Sequence, residues 1–313
     1  MRRKTLLFTL WIMAGCLVAL FPQNIDTFKG LVDKIEELYY AEKHDETITL
    51  IRNNLDTAEN AVHEGALYWR LSRARFNATD ISLYRGMEDE QAVEEFEEGI
   101  DLADTAISRL QSAKGNARGL SEALFWKAAN MGQMGQVQGV LNSLFLADDM
   151  NDLLVRAISL SPGYPNSYYA LGQLLEQLPG GIISFGDDDR AVNVGRKSIS
   201  LHEEDLESNQ VPYPFHDFYL ELAKHLWARN WDTETRSAQR REKNSRLEET
   251  SDPMERAYLF EATIDLPLVR DREEAKNILR STLRSLEDSD APEIRARRDR
   301  EKARELSRAW GLE

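Results

Sequence analysis

The side chains able to do chemistry are few, and their spacing does not assemble a catalytic centre. The five histidines, His44, His63, His202, His216 and His225, form no His-Glu-x-x-His step, and none pairs with another at a helix-face spacing. A single cysteine, Cys16, excludes an internal disulfide and a cysteine zinc site. Asp187-Asp188-Asp189 is a dense carboxylate run. Three consecutive side chains cannot converge on one ion, and the alternating spacing of an EF-hand loop is absent, so the run reads as a helix cap. Gly132, Gly135 and Gly139 have the wrong spacing for a phosphate loop and follow a helix rather than a strand. There is no Gly-x-Ser-x-Gly elbow. The expectation is a protein that is not an enzyme, with no cofactor and no metal.

What remains is recognition chemistry. Bulky pairs recur along the chain: Tyr39-Tyr40, Tyr68-Trp69, Phe125-Trp126, Tyr168-Tyr169, Phe218-Tyr219 and a degenerate Tyr258-Leu259. If Tyr68, Phe125, Tyr168 and Tyr219 are packed core positions, the helical step turns the next residue, and those four and seven further on, toward one shared groove. That selects Trp69, Arg73 and Phe76, then Trp126, Asn130 and Gln133, then Tyr169 and Gln173, then Lys224 and Trp227. An aromatic floor with a few polar or cationic groups suits a small organic ligand or a peptide. Arg73 is placed there as an exposed partner for a carboxylate on a small solute. The competing reading keeps Trp69 and Trp126 as core between stacked helices.

The elements that must hold such a groove are helices. Ile25, Phe28, Val32, Ile35, Leu38 and Tyr39 make one apolar stripe, and Ile48, Ile51 and Leu55 make the next. No segment alternates convincingly as a strand. A helix pair cannot bury its apolar face alone, so pairs stack. The fold expected is all-α, a solenoid of about five to six helix pairs over residues 25–290, with a closing helix over 291–313. That last helix opens at Pro292 and interleaves Arg295, Arg297, Arg298, Arg300, Lys302, Arg304 and Arg308 with Glu293, Asp299, Glu301 and Glu305, which reads as a solvated face of mixed charge. The 313 residues carry a formal charge of −15, with 42% hydrophobic and 30% charged residues. Such a chain stays soluble and repels nucleic acid and anionic headgroups.

Residues 1–23 read as a leader rather than fold: Met1-Arg2-Arg3-Lys4 is basic, and Thr5 to Phe21 is apolar. Met13-Ala14-Gly15-Cys16 is similar to a bacterial lipobox, with Cys16 as the lipidation site; an uncleaved anchor and an ordinary signal peptide are the alternatives. Each places the mature chain outside the cytoplasm: a periplasmic protein held to the membrane only through its N-terminus as a lipoprotein or an anchored chain, or soluble after cleavage of an ordinary signal.

The helix pattern resembles the tetratricopeptide (TPR) repeat superfamily. Tyr168, Leu171 and Gly172 match its aromatic, leucine and small-residue steps, as do Tyr68, Leu71 and Ser72, and Tyr219, Leu222 and Ala223. Phe125, Ala128 and Ala129 match more loosely, and Ala157 to Pro162 resembles the end of a second helix. Leu178-Pro179-Gly180-Gly181 with Phe185-Gly186-Asp187 looks like a signature of the T component of tripartite ATP-independent periplasmic (TRAP) transporters. That resemblance implies an exported accessory lipoprotein that docks a periplasmic solute-binding protein and handles a small organic ligand. The alternative is a general periplasmic protein–protein scaffold, with homo-oligomers open in both readings. Microtubule-regulating TPR proteins of eukaryotes share a similar helix pattern, and the bacterial-style N-terminus argues against them.

Overall fold

The structure is a computed structural model and describes residues 27–113, 116–180 and 185–312. Cys16 and the leader lie outside the described residues, as do residues 181–184 of the Pro-Gly loop. Among the described residues the fold is all-α. The helices are α1 Phe28–Tyr40, α2 His44–Arg52, α3 Ala61–Tyr84, α4 Asp89–Gln111, α5 Ala117–Gln138, α6 Val140–Leu160 and α7 Pro165–Gln177. They continue with α8 Asp188–Glu207, α9 His216–Arg229, α10 Thr233–Glu249, α11 Pro253–Tyr258, α12 Asp271–Glu287 and α13 Glu293–Ala309.

Local chemistry sets many of the helix starts. Side chains of Thr27, Asn60, Asn116, Asp187, Asp232 and Asp252 accept backbone N–H bonds from the first turns of α1, α3, α5, α8, α10 and α11. Asp187 therefore caps α8, as its sequence context implies. The loop before it folds tightly. Asp187 N–H donates to Leu175 O at 3.0 Å, and a Cβ on Gly186 would sit 2.0 Å from Leu178 O.

Packing then assembles α1 with α2, α3 with α4, α5 with α6, and α7 with α8. Each of α1, α3, α5 and α7 also touches the next odd-numbered helix, so these helices share an inner layer that ends in α9. The small-residue steps are where helices approach. Ser72 and Ala223 are fully buried, and Ala128 is 1% exposed. Gly99 on α4 shows why no side chain fits there. A Cβ would fall 2.1 Å from Asn130 Oδ1, in a seam where Ser72 Oγ donates to Gly99 O at 2.7 Å and Asn130 Nδ2 donates to Ser72 Oγ at 3.1 Å. Tyr168, Leu71, Leu124, Leu154 and Leu171 fill the spaces between pairs, each contributing about 1.5–3 kcal/mol by burial.

The regular pairing changes after α9. Its partner is α12, not α10; α10 lies against the turn Phe260–Ala262 and α11 against α8. A buried ion network holds this half. Arg196, Arg229, Arg236 and Lys243 face Asp189, Glu261, Asp271 and Glu274. Arg229 meets Asp271 at 2.8 Å, Glu261 at 2.7 Å and Asp189 at 2.8 Å. Burial would raise Glu261, but Arg229, Arg196 and Lys243 hold its carboxyl far below the usual range.

Helix α13 closes the last unit. Its Ala303 and Leu306 cover Leu220, Leu279 and Leu286, and Trp310 stacks on Trp227 with centroids 4.3 Å apart. It also reaches across to the first two pairs. Arg295 pairs with Glu42 at 2.6 Å, Arg298 pairs with Asp80, and Tyr84 OH donates to Glu301 at 2.7 Å. Lys302 pairs with Asp217, and with Glu221 at 2.6 Å. The mixed-charge face expected to be solvated is thus in large part an interface, because its basic residues meet carboxylates on α3, α9 and the α1–α2 turn.

Removing Arg229 would leave Asp271 and Glu261 short of a partner in a dry site. Arg229→Ala is expected to cost about 3–5 kcal/mol in a urea melt, whereas Lys29→Ala, at the exposed Lys29–Asp33 pair, costs about 0–1 kcal/mol. Asp299 on α13 gives a pH signature. Burial first, then the neighbouring Asp217, pushes it up to about 7, against the opposing charges of Arg295, Lys302 and Arg298. A carboxyl that titrates higher when folded binds more protons in the folded chain. Its contribution therefore favours folding at low pH and is lost as pH climbs toward 7. Between pH 5 and about 8 the melting temperature of the wild type should fall relative to that of Asp299→Asn, a difference from which the opposing rise due to His202, common to both, drops out.

Candidate functional site

A cleft of about 680 Å³ opens between the first and the later helices. One wall is α1 and α3, with Glu36, Tyr39, Tyr40, Trp69, Arg70 and Arg73. The second is α5, with Asn116, Arg118, Glu122 and Trp126. The third comes from the start of α7 and from α8 with the loop after it, through Tyr164, Asn166, His202, Gln210 and Phe215. The volume is that of a small-molecule site.

The cleft's charges are organised by stacking. The guanidinium of Arg73 lies 3.8 Å from the centre of the Tyr39 ring, Arg70 lies 4.0 Å from Trp69, and Arg118 lies 4.4 Å from Tyr164. Glu36 anchors two of them, receiving Arg70 Nε at 2.7 Å and standing 2.9 Å from Arg73 Nη2. Burial would raise the Glu36 carboxyl, but Arg73 and Arg70 hold it below its ordinary value. Arg118 Nε donates to Glu122 at 2.8 Å. His202 is neutral at physiological pH, because burial, then Arg295 and His216, depress it to about 4. Its Nε2 accepts the Phe215 N–H at 2.8 Å.

Two donors at the cleft have no acceptor from the protein. Arg73 is 6% exposed, and its Nε has no hydrogen-bond partner; its Nη2 meets Glu36 only as an off-axis ion pair. Trp126 is 4% exposed, and its Nε1 is likewise unpartnered. Buried donors normally find acceptors. Both side chains border the cleft, and each carries a buried donor that no protein group accepts.

The ten residues selected by helical phase separate into four sets. Trp69, Arg73 and Trp126 line the cleft. Phe76 and Asn130 lie behind it. Phe76 packs on Trp126 and Phe96, and Asn130 is fully buried in the Ser72–Gly99 seam. Gln133, further along α5, is half-buried and outside the cleft. Tyr169, Gln173, Lys224 and Trp227 form a different surface. Tyr169 donates to Asp217 and accepts from Gln173 at 3.1 Å, Lys224 pairs with Glu221 at 2.8 Å, and Trp227 lies under Trp310. The expected continuous groove is therefore interrupted, because α13 lies over its second half. Arg73 is also buried rather than exposed, since the α3 face that bears it packs on α1.

Sequence reasoning missed Glu36, Arg70, Arg118, Glu122, Tyr164 and His202. Arg118 and Glu122 stand four apart, the spacing of a helical ion pair, which was a usable signal. His202 stands at no such spacing and gave none.

Away from the cleft lining, Glu176 on α7 and Glu221 and His225 on α9 bring ligand atoms within 4.8 Å of one another. Lys224 and Lys302 already lie 2.8 Å and 2.6 Å from the two oxygens of Glu221, so that carboxylate has its cations. Asp187, Asp188 and Asp189 do not act together. Asp187 caps α8, and Asp189 belongs to the Arg229 network.

A model of the family described as regulator of microtubule dynamics proteins 1–3 matches residues 31–175, under half of the chain. No curated protein matches. The family match overturns both the TPR superfamily assignment and the resemblance to the TRAP T component, and with them the reading of a transporter accessory or periplasmic TPR scaffold. The microtubule-regulator pattern had been set aside on the N-terminus, a segment that the match does not include. The match does contain the cleft walls on α3 and α5.

Arg73→Ala removes one partner of a buried pair and is expected to cost about 3–5 kcal/mol in chemical denaturation. Trp126→Phe keeps the ring and gives up a bond that Nε1 does not make within the protein, so its cost should stay below about 1.5 kcal/mol.

Proposed function

We propose that the chain is a non-catalytic binding protein that holds, in the cleft between α1, α3, α5 and α8, an organic molecule with an apolar body and an anionic or acceptor group. The observation that carries this reading is a cleft of about 680 Å³ whose walls include Arg73 and Trp126, two side chains with buried donors, Nε and Nε1, that no protein group accepts. Tyr39, Tyr40, Trp69 and Phe215 offer the apolar body its walls. The acceptor group takes the two donors. Carboxylates Glu36 and Glu122 are each engaged by arginines, which favours holding over proton transfer.

Binding of 8-anilinonaphthalene sulfonate, an aromatic anion, to the full chain tests the reading. Saturable fluorescence is expected, and Trp126→Phe should weaken it by about 1 kcal/mol, near fivefold in Kd, while the melting curve stays close to wild type. An absence of saturable binding, or equal binding by Trp126→Phe, overturns the reading. A second reading rests on the family match alone: an action on microtubules, as that family's name states. Co-sedimentation of the chain with polymerised tubulin decides it; recovery of the chain only in the supernatant removes this second reading.

A further inference from the structure

Helix α9 carries Glu221 and His225 four residues apart, so both side chains leave it on one face. Helix α7 touches α9 and carries Glu176, four residues after Gly172. Together they bring one histidine nitrogen and two carboxylates to a single point, with ligand atoms within 4.8 Å of one another. None of the three residues lines the cleft.

The imidazole of His225 is fixed from behind. It is 1% exposed, and two glycines make its slot. A Cβ on Gly172 would fall 2.9 Å from its Nε2, and one on Gly195 would fall 3.1 Å from its Cδ2. The ring is therefore wedged between α7 and α8, and its Nδ1 lies 3.7 Å from Glu176 Oε2. That is too far for a hydrogen bond. Nδ1 is buried and has no hydrogen-bond partner, and the same holds for Glu176 Oε2. Buried polar atoms normally find partners. Here a nitrogen and a carboxylate oxygen confront each other across a gap that neither closes.

Glu221 has its cations, but the cluster as a whole is short of positive charge. Lys302 pairs with Asp217 and with Glu221. Lys224 lies 2.8 Å from Glu221 Oε2 and 3.8 Å from Glu176 Oε2. Three carboxylates, on Asp217, Glu221 and Glu176, share these two ammoniums. The Lys224 ammonium marks a place for a cation, yet it leaves Glu176 Oε2 and His225 Nδ1 unsatisfied. An imidazole nitrogen with two carboxylates is a ligand set for Zn2+. Ligands about 2.0–2.1 Å from one ion stand no more than about 4.2 Å apart. The 3.7 Å between Nδ1 and Oε2 fits that limit, and rotation of the carboxylates closes the rest. The Lys224 and Glu176 side chains are 28% and 19% exposed, which gives the ion a way in and the lysine a way out.

We propose that Glu176, Glu221 and His225 form a zinc site that ties α7 to α9. The ion takes His225 Nδ1, Glu176 Oε2 and one oxygen of Glu221, turns the Lys224 ammonium out to solvent, and leaves Lys302 on the other Glu221 oxygen. The site is separate from the cleft and does not depend on what the cleft holds.

The test is a titration of Zn2+ into the full chain, free of any affinity tag, in competition with a chromophoric chelator. Wild type should bind one equivalent. Glu176→Gln keeps the shape of the side chain and should weaken binding by at least about tenfold, because loss of a partner one shell further out already costs about 10–100-fold. Lys224→Met removes the competing ammonium and should bind Zn2+ more tightly than wild type. Zn2+ should raise the melting temperature of wild type and leave that of Glu176→Gln where it was. Co2+ in place of Zn2+ gives a check that needs no variant. A tetrahedral site of nitrogen and oxygen ligands absorbs strongly in the visible, whereas octahedral Co2+ on surface carboxylates and water absorbs weakly. Absence of saturable Zn2+ binding by wild type overturns the site. So do equal affinities of Glu176→Gln and wild type, a Lys224→Met chain that binds no more tightly, or an octahedral Co2+ spectrum. If Glu176→Gln does not fold, Lys224→Met and the Co2+ spectrum decide.

Discussion

Arg229 sets the terms for the second half of the molecule. Its side chain is 1% exposed, and a guanidinium cannot be taken from water without anions to replace it. Asp189 comes from the start of α8, Glu261 from the turn after α11, and Asp271 from the first turn of α12. Satisfying one cation therefore fixes three separate segments around the C-terminal end of α9. The remaining cations, Arg196, Arg236 and Lys243, complete a formally neutral set of four and four. This explains why α12 rather than α10 is the partner of α9. The chain between them is long and polar, and the anions that must reach Arg229 lie at its far end.

The same guanidinium chemistry is handled differently at the cleft. The network around Arg229 is saturated, with every nitrogen of that arginine assigned to a carboxylate. At Arg73, stacking on Tyr39 and one carboxylate shared with Arg70 leave donor capacity over. Saturation gives rigidity; at Arg73, stacking on the Tyr39 ring takes the place of part of it. Burial alone does not separate the two arginines; the count of acceptors does.

Much of the fold was legible in the residues. Leu71-Ser72, Ala128, Leu171-Gly172 and Leu222-Ala223 mark the lines along which inner helices touch, and helical phase placed Trp69, Arg73 and Trp126 on one surface. The failures have physical causes. Phase within one helix does not say what will cover it, so Tyr169, Gln173, Lys224 and Trp227 were assigned to a groove that α13 occupies. Alternating charge on α13 looked like solvation because its partners, Glu42, Asp80 and Asp217, are remote in sequence. Arg73 looked exposed because α3 reads as an inner-layer helix with one buried stripe, whereas α1 covers its opposite side as well. The family reading went astray at the N-terminus, where a basic and apolar segment that reads as a leader says nothing about the helices after it.

The bridges from α13 to the first unit have a meaning for biosynthesis. Most helix contacts join neighbours in the chain, so α1 to α8 can pack in the order in which they are made. The bonds from α13 to Glu42, Asp80 and Tyr84 span 253, 218 and 217 residues. Until the last helix is synthesised, Glu42 must hold its left-handed turn without Arg295, and the first helix pair has no tie to the far end. Closing such long loops carries an entropic cost that neighbour packing does not. The contacts are therefore of two kinds: local ones that stack successive helices, and a few that tie α13 to α1–α3 across more than 200 residues.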